Sequence, residues 1–179
     1  NPHYDSPFMD GGYDVRDFFK CSSRFGTEEE FDLLVEQCHQ KNIHLIVDLV
    51  AGHTSEENPM FIKSANPKHN EFSDRFIWTK NPWDCPREYK FINGKYNRFG
   101  AYMVNFFSTQ PALNYGFNKI TAEWQMSYKD IEPKKTQEFL LSVMRFWLNR
   151  HVDGFRVDLA DSLVKNDDNK EATIEIWQY

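Results

Sequence analysis

Two parts of this chain share one order of elements, an amphipathic helix followed by a short apolar strand with polar residues at its end. The first helix is predicted from about Thr27 to Gln40, and Thr27 with Glu30 fits a capping box. Four apolar side chains at positions i, i+3, i+4 and i+7 form one stripe, namely Phe31, Leu34, Val35 and Cys38. Asn42 stops the helix, and Ile43 to Val50 is an apolar run typical of a strand buried on both faces of a parallel sheet.

The second unit lies near the C-terminus of the sequence. Pro133 suits the first turn of a helix, and the apolar stripe recurs at Leu140, Val143, Met144 and Trp147. Asp153 and Gly154 then turn the chain into a second buried strand, predicted from Phe155 to Leu159. Helix–strand units in this order predict an α/β architecture with a parallel sheet.

The segment between the two units, residues 54–131, has no helical or strand periodicity and contains most of the prolines. It is far longer than an ordinary loop between a strand and a helix. We therefore expect an inserted subdomain after the first buried strand, with short strands of its own such as Phe76–Thr79.

Composition excludes several classes of partner. The net charge is −6 and no Lys/Arg cluster occurs, which argues against a nucleic-acid partner. No apolar run approaches the roughly 20 residues that span a bilayer, and the first seven residues do not resemble a signal peptide. The three cysteines, Cys21, Cys38 and Cys85, are scattered and odd in number, so we expect free thiols and a cytoplasmic location.

Polar side chains lie at the ends of both predicted strands: Asp48 and His53 on the first, Arg156 and Asp158 on the second. The carboxyl ends of parallel strands form the floor of the active site in α/β enzymes. Arg156 and Asp158 point to the same side because side chains alternate along a strand, and an adjacent arginine favours the ionised, nucleophilic form of a carboxylate. Taken alone, Arg-x-Asp fits a buried structural ion pair better than a catalytic pair.

Five segments, in order, resemble those of the α-amylase family of glycoside hydrolases (glycoside hydrolase family 13). They are SPFMDGGYDVRDF (6–18), DLVAGHTS (48–55), FIWTKNP (76–82), FFSTQPALNYGF (106–117) and GFRVDLADSL (154–163). The form of the first and third segments is closest to that of oligo-1,6-glucosidases and related α-glucosidases. The resemblance covers nearly the whole chain.

The resemblance implies part of a (β/α)8 TIM barrel, about strands two to four, with the insert after strand three. Residues 1–53 would hold the loop after strand two, a helix and strand three. Residues 54–131 would be the inserted subdomain B, and residues 132–179 would hold a helix, strand four and the start of the next helix. The family's acid/base glutamate and a third carboxylate are expected beyond residue 179, so these residues alone are expected to be inactive and poorly folded.

The resemblance also implies roles for individual residues. Asp158 matches the nucleophile, Arg156 the arginine that holds it ionised, and His53 a histidine that hydrogen-bonds the sugar. The other implied substrate-binding residues are Tyr13, an aromatic platform under the sugar ring, Asp10, which grips the terminal glucose, Asp48, an anchor behind the site, and Phe107 and Gln110, which border the pocket. Packing could instead explain Tyr13, His53 and one of the Phe106–Phe107 pair, and Asp10 could be a turn former.

Two departures from the family pattern concern metal binding. Gly52 replaces the Asn that ligates calcium in amylases, and Ala112 replaces an Asp. We therefore expect no metal site and no cofactor. Asp167-Asp168-Asn169 lacks the Gly and Glu of a calcium loop and is predicted to be a solvated turn.

The function that the resemblance implies is hydrolysis of α-glucosidic linkages in short oligosaccharides, with retention, through a covalent glycosyl-enzyme intermediate. One alternative is a transglycosylase or phosphorylase of the same family, similar to a sucrose phosphorylase or a glucosyl isomerase. Another is a non-catalytic relative that binds carbohydrate or serves as a scaffold. The sequence does not predict the linkage, the substrate length or the oligomeric state.

Overall fold

The computed structural model describes residues 2–178, which contain three two-stranded sheets and four α-helices. Strands β1 (Tyr4–Asp5) and β2 (Asp17–Cys21) pair antiparallel, as do β4 (Lys90–Asn93) and β5 (Ala101–Val104). Strands β3 (Ile46–Val50) and β6 (Gly154–Asp158) pair in parallel. The helices are α1 (Glu28–Gln40), α2 (Pro59–Ser64), α3 (Ile131–Asn149) and α4 (Glu171–Trp177).

The first predicted unit is confirmed in its helix and corrected in its strand. Thr27 caps α1 through both bonds of the capping box, with Glu30 N donating to Thr27 Oγ1 at 3.2 Å. The strand begins at Ile46 and not at Ile43, and Ile46 is 60% exposed. Leu34 of the predicted stripe is also exposed. In the part of the chain that the structure describes, β3 pairs with β6 alone, so its start and the adjoining helix face have no covering element.

The second unit follows the prediction in its helix, but the prediction of a buried strand is wrong. No residue of the strand Gly154–Asp158 is buried, because among the described residues it pairs with β3 alone. Leu140, Val143 and Trp147 are buried on one face of α3, and the Trp147 indole donates to the Phe18 carbonyl oxygen at 2.8 Å. Strand β6 covers Gly154–Asp158, one residue earlier than predicted. The chain leaves the strand at Leu159, whose φ of 51° is left-handed and turns it sharply away.

Residues 54–131 are held together by aromatic packing. The ring of Phe61 contacts those of Phe76, Trp78, Tyr96 and Tyr102, with centroids 5.0 to 5.9 Å apart. The expected strand at Phe76–Thr79 is wrong, because this segment makes isolated bridges, Phe76 to Leu113 and Trp78 to Tyr102, and no continuous ladder. That this segment is a separate subdomain stays a prediction.

The predicted solvated turn at residues 167–169 is wrong for Asp167, which is buried. Its carboxylate accepts hydrogen bonds from Thr173 N (2.8 Å), Thr173 Oγ1 (2.9 Å) and Asn118 Nδ2 (3.0 Å). The backbone N–H groups of the first turn of α4 have no partner within the helix, and Asp167 satisfies two of them. Asp168, by contrast, is exposed and pairs with Lys119 at the surface.

The cysteines and the helices can be compared with the sequence-based expectations. Cys21, Cys38 and Cys85 are free thiols, each partly buried. Within residues 2–178 no helix has both the length and the apolar character to cross a membrane.

Candidate active site

Parallel pairing of β3 with β6 brings the polar strand ends together. Asp48 pairs with Arg156 and Val50 with Asp158, so both strands end at the same edge of the sheet. His53 follows β3 by three residues, and Asp158 is the last residue of β6. The parallel sheet, which the apolar runs predicted, therefore places Asp158 and His53 on neighbouring chain segments.

Arg156 links the two strand carboxylates. Its Nη1 donates to Asp158 Oδ1 at 2.9 Å and to Asp48 Oδ1 at 3.3 Å. The Arg156 side chain is 57% exposed, whereas those of Asp158 and Asp48 are 17% and 15% exposed. Because the arginine is solvated, the group is not the buried structural pair that was the alternative explanation. A pair with a solvated partner adds little to stability, and the role of Arg156 in holding the Asp158 carboxylate for chemistry stays a prediction.

A cavity of about 250 Å³ lies at this edge of the sheet. Six of the eight predicted site residues line it: Asp10, Tyr13, His53, Phe107, Gln110 and Asp158. Phe106 and Leu159 complete the lining. The other two predicted residues, Asp48 and Arg156, line a neighbouring groove and contact the cavity through Tyr13 and Asp158.

Tyr13 joins the loop after β1 to the strand carboxylates. Its hydroxyl donates to Asp48 Oδ2 at 3.4 Å. Partial burial and the negative charge of Asp48 raise the pKa of Tyr13, so the phenol stays protonated and is a donor. Tyr13 lines the cavity, and its role as an aromatic platform under the sugar ring stays a prediction.

His53 is 1% exposed, and protein groups occupy both of its ring nitrogens. Nε2 lies 3.1 Å from the carbonyl oxygen of Tyr13, and Nδ1 lies 3.1 Å from the amide nitrogen of Asn105. Burial lowers the pKa of His53 to about 4, so the ring is neutral at ordinary pH. A sugar hydroxyl can reach His53 only by sharing or displacing one of these partners, and the direct sugar contact stays a prediction.

Asp10 and Gln110 connect the loop after β1 to the segment after β5. Gln110 Nε2 donates to Asp10 Oδ2, and the backbone N–H of Asp14 donates to Asp10 Oδ1 at 2.8 Å. Burial, followed by the neighbouring Asp14 carboxylate, raises the pKa of Asp10 to about 6. Gln110 Oε1 in turn accepts from Phe107 N at 3.1 Å, which fixes the loop that carries the two phenylalanines.

The Phe106–Phe107 pair does not pack as expected. Both rings are at least half exposed, at 50% and 58%, and both border the cavity. Exposed aromatic rings beside a cavity that Asp10 and Asp158 also line provide flat apolar surfaces on which a sugar face can stack. Sequence reasoning gave one of them a packing role, and the structure corrects that.

Sequence reasoning did not identify three residues that contribute to the site. Asn105 directly follows β5 and holds His53, and nothing in its spacing singled it out. Leu159 lines the cavity because of its left-handed turn. Asp14 is fully buried and accepts from Ser6 Oγ at 2.7 Å and from Met9 N at 2.9 Å, which shapes the loop around Asp10. A carboxylate within a Gly-rich loop was the available signal for Asp14.

Comparison with known proteins gives consistent matches over most of the chain. Residues 1–176 match the α-amylase catalytic-domain family. The chain is 34% identical over 178 residues to the trehalose synthase/amylase TreS of Mycobacterium tuberculosis, covering 93% of this chain and 26% of that protein. It is 32% identical to an oligo-1,6-glucosidase of Heyndrickxia coagulans, covering 92% of this chain and 28% of the relative.

Solved structures match as well. The isomaltulose synthase SmuA of Protaminobacter rubrum superposes with a TM-score of 0.75 at 30% identity, covering 91% of this chain and 28% of that one. The trehalose-6-phosphate hydrolase of Bacillus licheniformis superposes with a TM-score of 0.73 at 28% identity, covering 90% and 28%. The chain thus spans about a quarter of the length of these relatives.

Proposed function

Because the chain belongs to the α-amylase family of glycoside hydrolases, we propose that it carries the nucleophile side of a retaining active site for α-glucosidic linkages in short oligosaccharides. The observation that carries the proposal is the convergence of an arginine-bound carboxylate, Asp158, with Tyr13, His53 and Asp10 around one small cavity. We also propose that β3 and β6 correspond to barrel strands three and four. Relatives named as oligo-1,6-glucosidases support the substrate class.

In the proposed reaction, an oxygen of Asp158 attacks the anomeric carbon and the glycosidic bond breaks, which gives a covalent glycosyl ester. Arg156 holds Oδ1 at 2.9 Å and so orients the carboxylate for attack. Water then cleaves the ester and restores the carboxylate, with net retention at the anomeric carbon. The proposal places the nucleophile, and not the proton donor for the leaving oxygen, among the residues of this chain.

The surrounding groups suit a transition state that carries positive charge on the sugar ring. His53 is neutral because burial lowers its pKa to about 4, so it adds no repulsive charge. The face of the Tyr13 ring is electron-rich and attracts a cation. The site therefore places the neutral His53 ring and the aromatic Tyr13 ring around the Asp158–Arg156 pair.

The direct test is turnover of a short α-glucoside by the full-length protein with Asp158→Asn. We expect kcat to fall by roughly a thousandfold or more, because an amide cannot form the glycosyl ester. Asp161→Asn is the matched control, since Asp161 is an exposed residue three positions further on, outside the cavity lining. Unchanged turnover in Asp158→Asn would remove the nucleophile assignment.

Transfer of the glucosyl group to a sugar acceptor is the second candidate. The exposed Phe106 and Phe107 beside the cavity favour transfer, because an acceptor sugar can stack on their rings and thereby limit access of water. The similarity to an isomaltulose synthase supports the same alternative. Product analysis with sucrose and maltose, with and without phosphate, separates the reactions: free glucose indicates hydrolysis, a new disaccharide indicates transfer, and glucose 1-phosphate indicates phosphorolysis.

A further inference from the structure

Asn105 is partly buried and contacts His53, which is 1% exposed and lines the cavity. It follows β5 directly, and its amide nitrogen is 3.1 Å from His53 Nδ1. Its backbone N–H donates to the carbonyl oxygen of Gln110 at 3.2 Å, which fixes the position of the residue at the base of the loop carrying Phe107. Both ends of Asn105 are therefore tied to groups that line the cavity.

The space that the Asn105 amide occupies exists because residue 52 has no side chain. A Cβ built on Gly52 would lie 2.9 Å from Asn105 Nδ2, closer than real Cβ contacts. The backbone of Gly52 is not left-handed, so its conformation alone does not require glycine. A short amide already engaged with His53 could yield to a Cβ only by bending or losing its hydrogen bond. Gly52 and Asn105 therefore depend on each other sterically.

The hydrogen-bond partners determine where the His53 proton lies. The carbonyl oxygen of Tyr13 can only accept, so Nε2 must carry a hydrogen. In the neutral ring Nδ1 is then an acceptor, and it accepts from the amide N–H of Asn105. Each partner thus selects the same tautomer, and the ring bridges the main chain of Tyr13 to the end of β5.

We propose that Asn105 is a positioning residue: it holds His53 as the Nε2–H tautomer, His53 thereby holds the Tyr13 main chain at the cavity, and Gly52 leaves the space that Asn105 needs. The role in turnover rests on the proposed function, whereas the structural relation among Gly52, Asn105 and His53 does not. Asn105 acts through its neighbour and is not assigned a contact with substrate.

A double-mutant cycle in the full-length protein tests the steric dependence. Asn105→Ala removes the amide, and we expect KM for a short α-glucoside to rise roughly five- to tenfold, the effect of losing one partly buried hydrogen bond. Gly52→Ala should give a similar loss by displacing the amide. The double variant should have a KM no higher than that of Asn105→Ala alone, because the Cβ at position 52 then has no Asn105 amide to clash with. Gly154→Ala is the matched control, because a Cβ there meets nothing within 4 Å.

The second measurement reports on the His53 proton and needs no activity. With histidine-selective 15N labelling, and His53→Asn to assign the signal, we expect a neutral Nε2–H ring at pH 7 in the wild type. Asn105→Asp supplies a carboxylate at Nδ1, which favours the protonated ring and should raise its pKa by at least about one unit. In this variant the pH profile of kcat/KM should then show one additional ionisation, that of His53.

The two readouts separate the possible failures. Three results would overturn the positioning role. They are KM effects of Gly52→Ala and Asn105→Ala that simply add in the double variant, a KM in Gly52→Ala equal to that of the wild type, and a His53 15N signal that does not change in Asn105→Asp. A protein without glycosidase activity whose His53 signal responds as described would contradict the proposed function and support the Asn105 contact. Full activity with an unresponsive His53 would support the function and reject the positioning role.

Discussion

At the residue scale, the side chains of the site find hydrogen-bond partners both near to them and distant from them in sequence. Arg156 and Asp158 are two residues apart, and their hydrogen bond follows from strand alternation alone. His53 Nε2 donates to the carbonyl oxygen of Tyr13 and His53 Nδ1 accepts from Asn105, residues that lie 40 and 52 positions away. The Arg156–Asp158 pair could be predicted from sequence, whereas the groups that set the tautomer of His53 could not.

Asp167 gives a residue-scale prediction about stability. Burial raises the pKa of Asp167, but hydrogen bonds from Thr173 and Ala172 outweigh this and lower it overall. We expect Asp167→Ala to cost about 1–2 kcal/mol, because two N–H groups of the first turn of α4 lose their acceptor. Chemical denaturation at pH 7 measures the change in the free energy of unfolding.

The control and the pH dependence sharpen this test. Asp168→Ala should be nearly neutral, since its pair with Lys119 is solvated. Because the folded pKa of Asp167 lies below its ordinary value of 3.8, its contribution is present above about pH 4 and is lost as pH falls through the folded pKa. Equal losses in the two variants at pH 7 would contradict the capping role.

At the element scale, helices and the parallel pair follow from local pattern. The capping box of α1 and the buried stripe of α3 depend on residues three and four apart, so sequence alone predicted both. The exposed start of β3 could not be predicted, since exposure depends on whether another element covers Ile46. The same reason explains Phe76–Thr79, whose apolar residues bury themselves among aromatic rings without a continuous strand partner.

The prediction at the element scale concerns the contribution of Trp147 to stability. The indole is fully buried and ties α3 to β2 through the Phe18 carbonyl oxygen. Trp147→Phe keeps most of the apolar volume but leaves that oxygen without the indole donor, and we expect a loss of about 1–3 kcal/mol. Trp83→Phe is the control, because Trp83 is 82% exposed and should change stability by less than about 0.5 kcal/mol. Comparable shifts in Tm for both variants would show that the buried hydrogen bond is unimportant.

At the scale of the whole molecule, the important feature is the edge of β3 that has no strand partner among residues 2–178. Leu34 and Ile46 border a groove beside β3, and both are at least half exposed. Unpaired strand edges and uncovered apolar surface favour association between chains. A polypeptide of these 179 residues produced alone should therefore bind a hydrophobic dye, unfold over a broad temperature range and show no turnover.

The comparison for that experiment is the full-length protein under the same conditions. It should bind less dye per mole of chain and unfold with a sharper transition, because other parts of the protein would cover the groove. Glucosidase turnover together with a sharp thermal transition in the 179-residue polypeptide would refute this account of the open edge.

The central claim is that Asp158 forms the covalent bond to the sugar. An α-glucosyl fluoride that carries a second fluorine on the ring slows both displacement steps, so the ester accumulates as fluoride leaves. After proteolysis of the full-length protein, mass spectrometry should find one fluoroglucosyl group on the peptide containing Asp158, and none in Asp158→Asn. A label on another carboxylate such as Asp10, or turnover of the reagent through Asp158→Asn at the wild-type rate, would contradict the assignment.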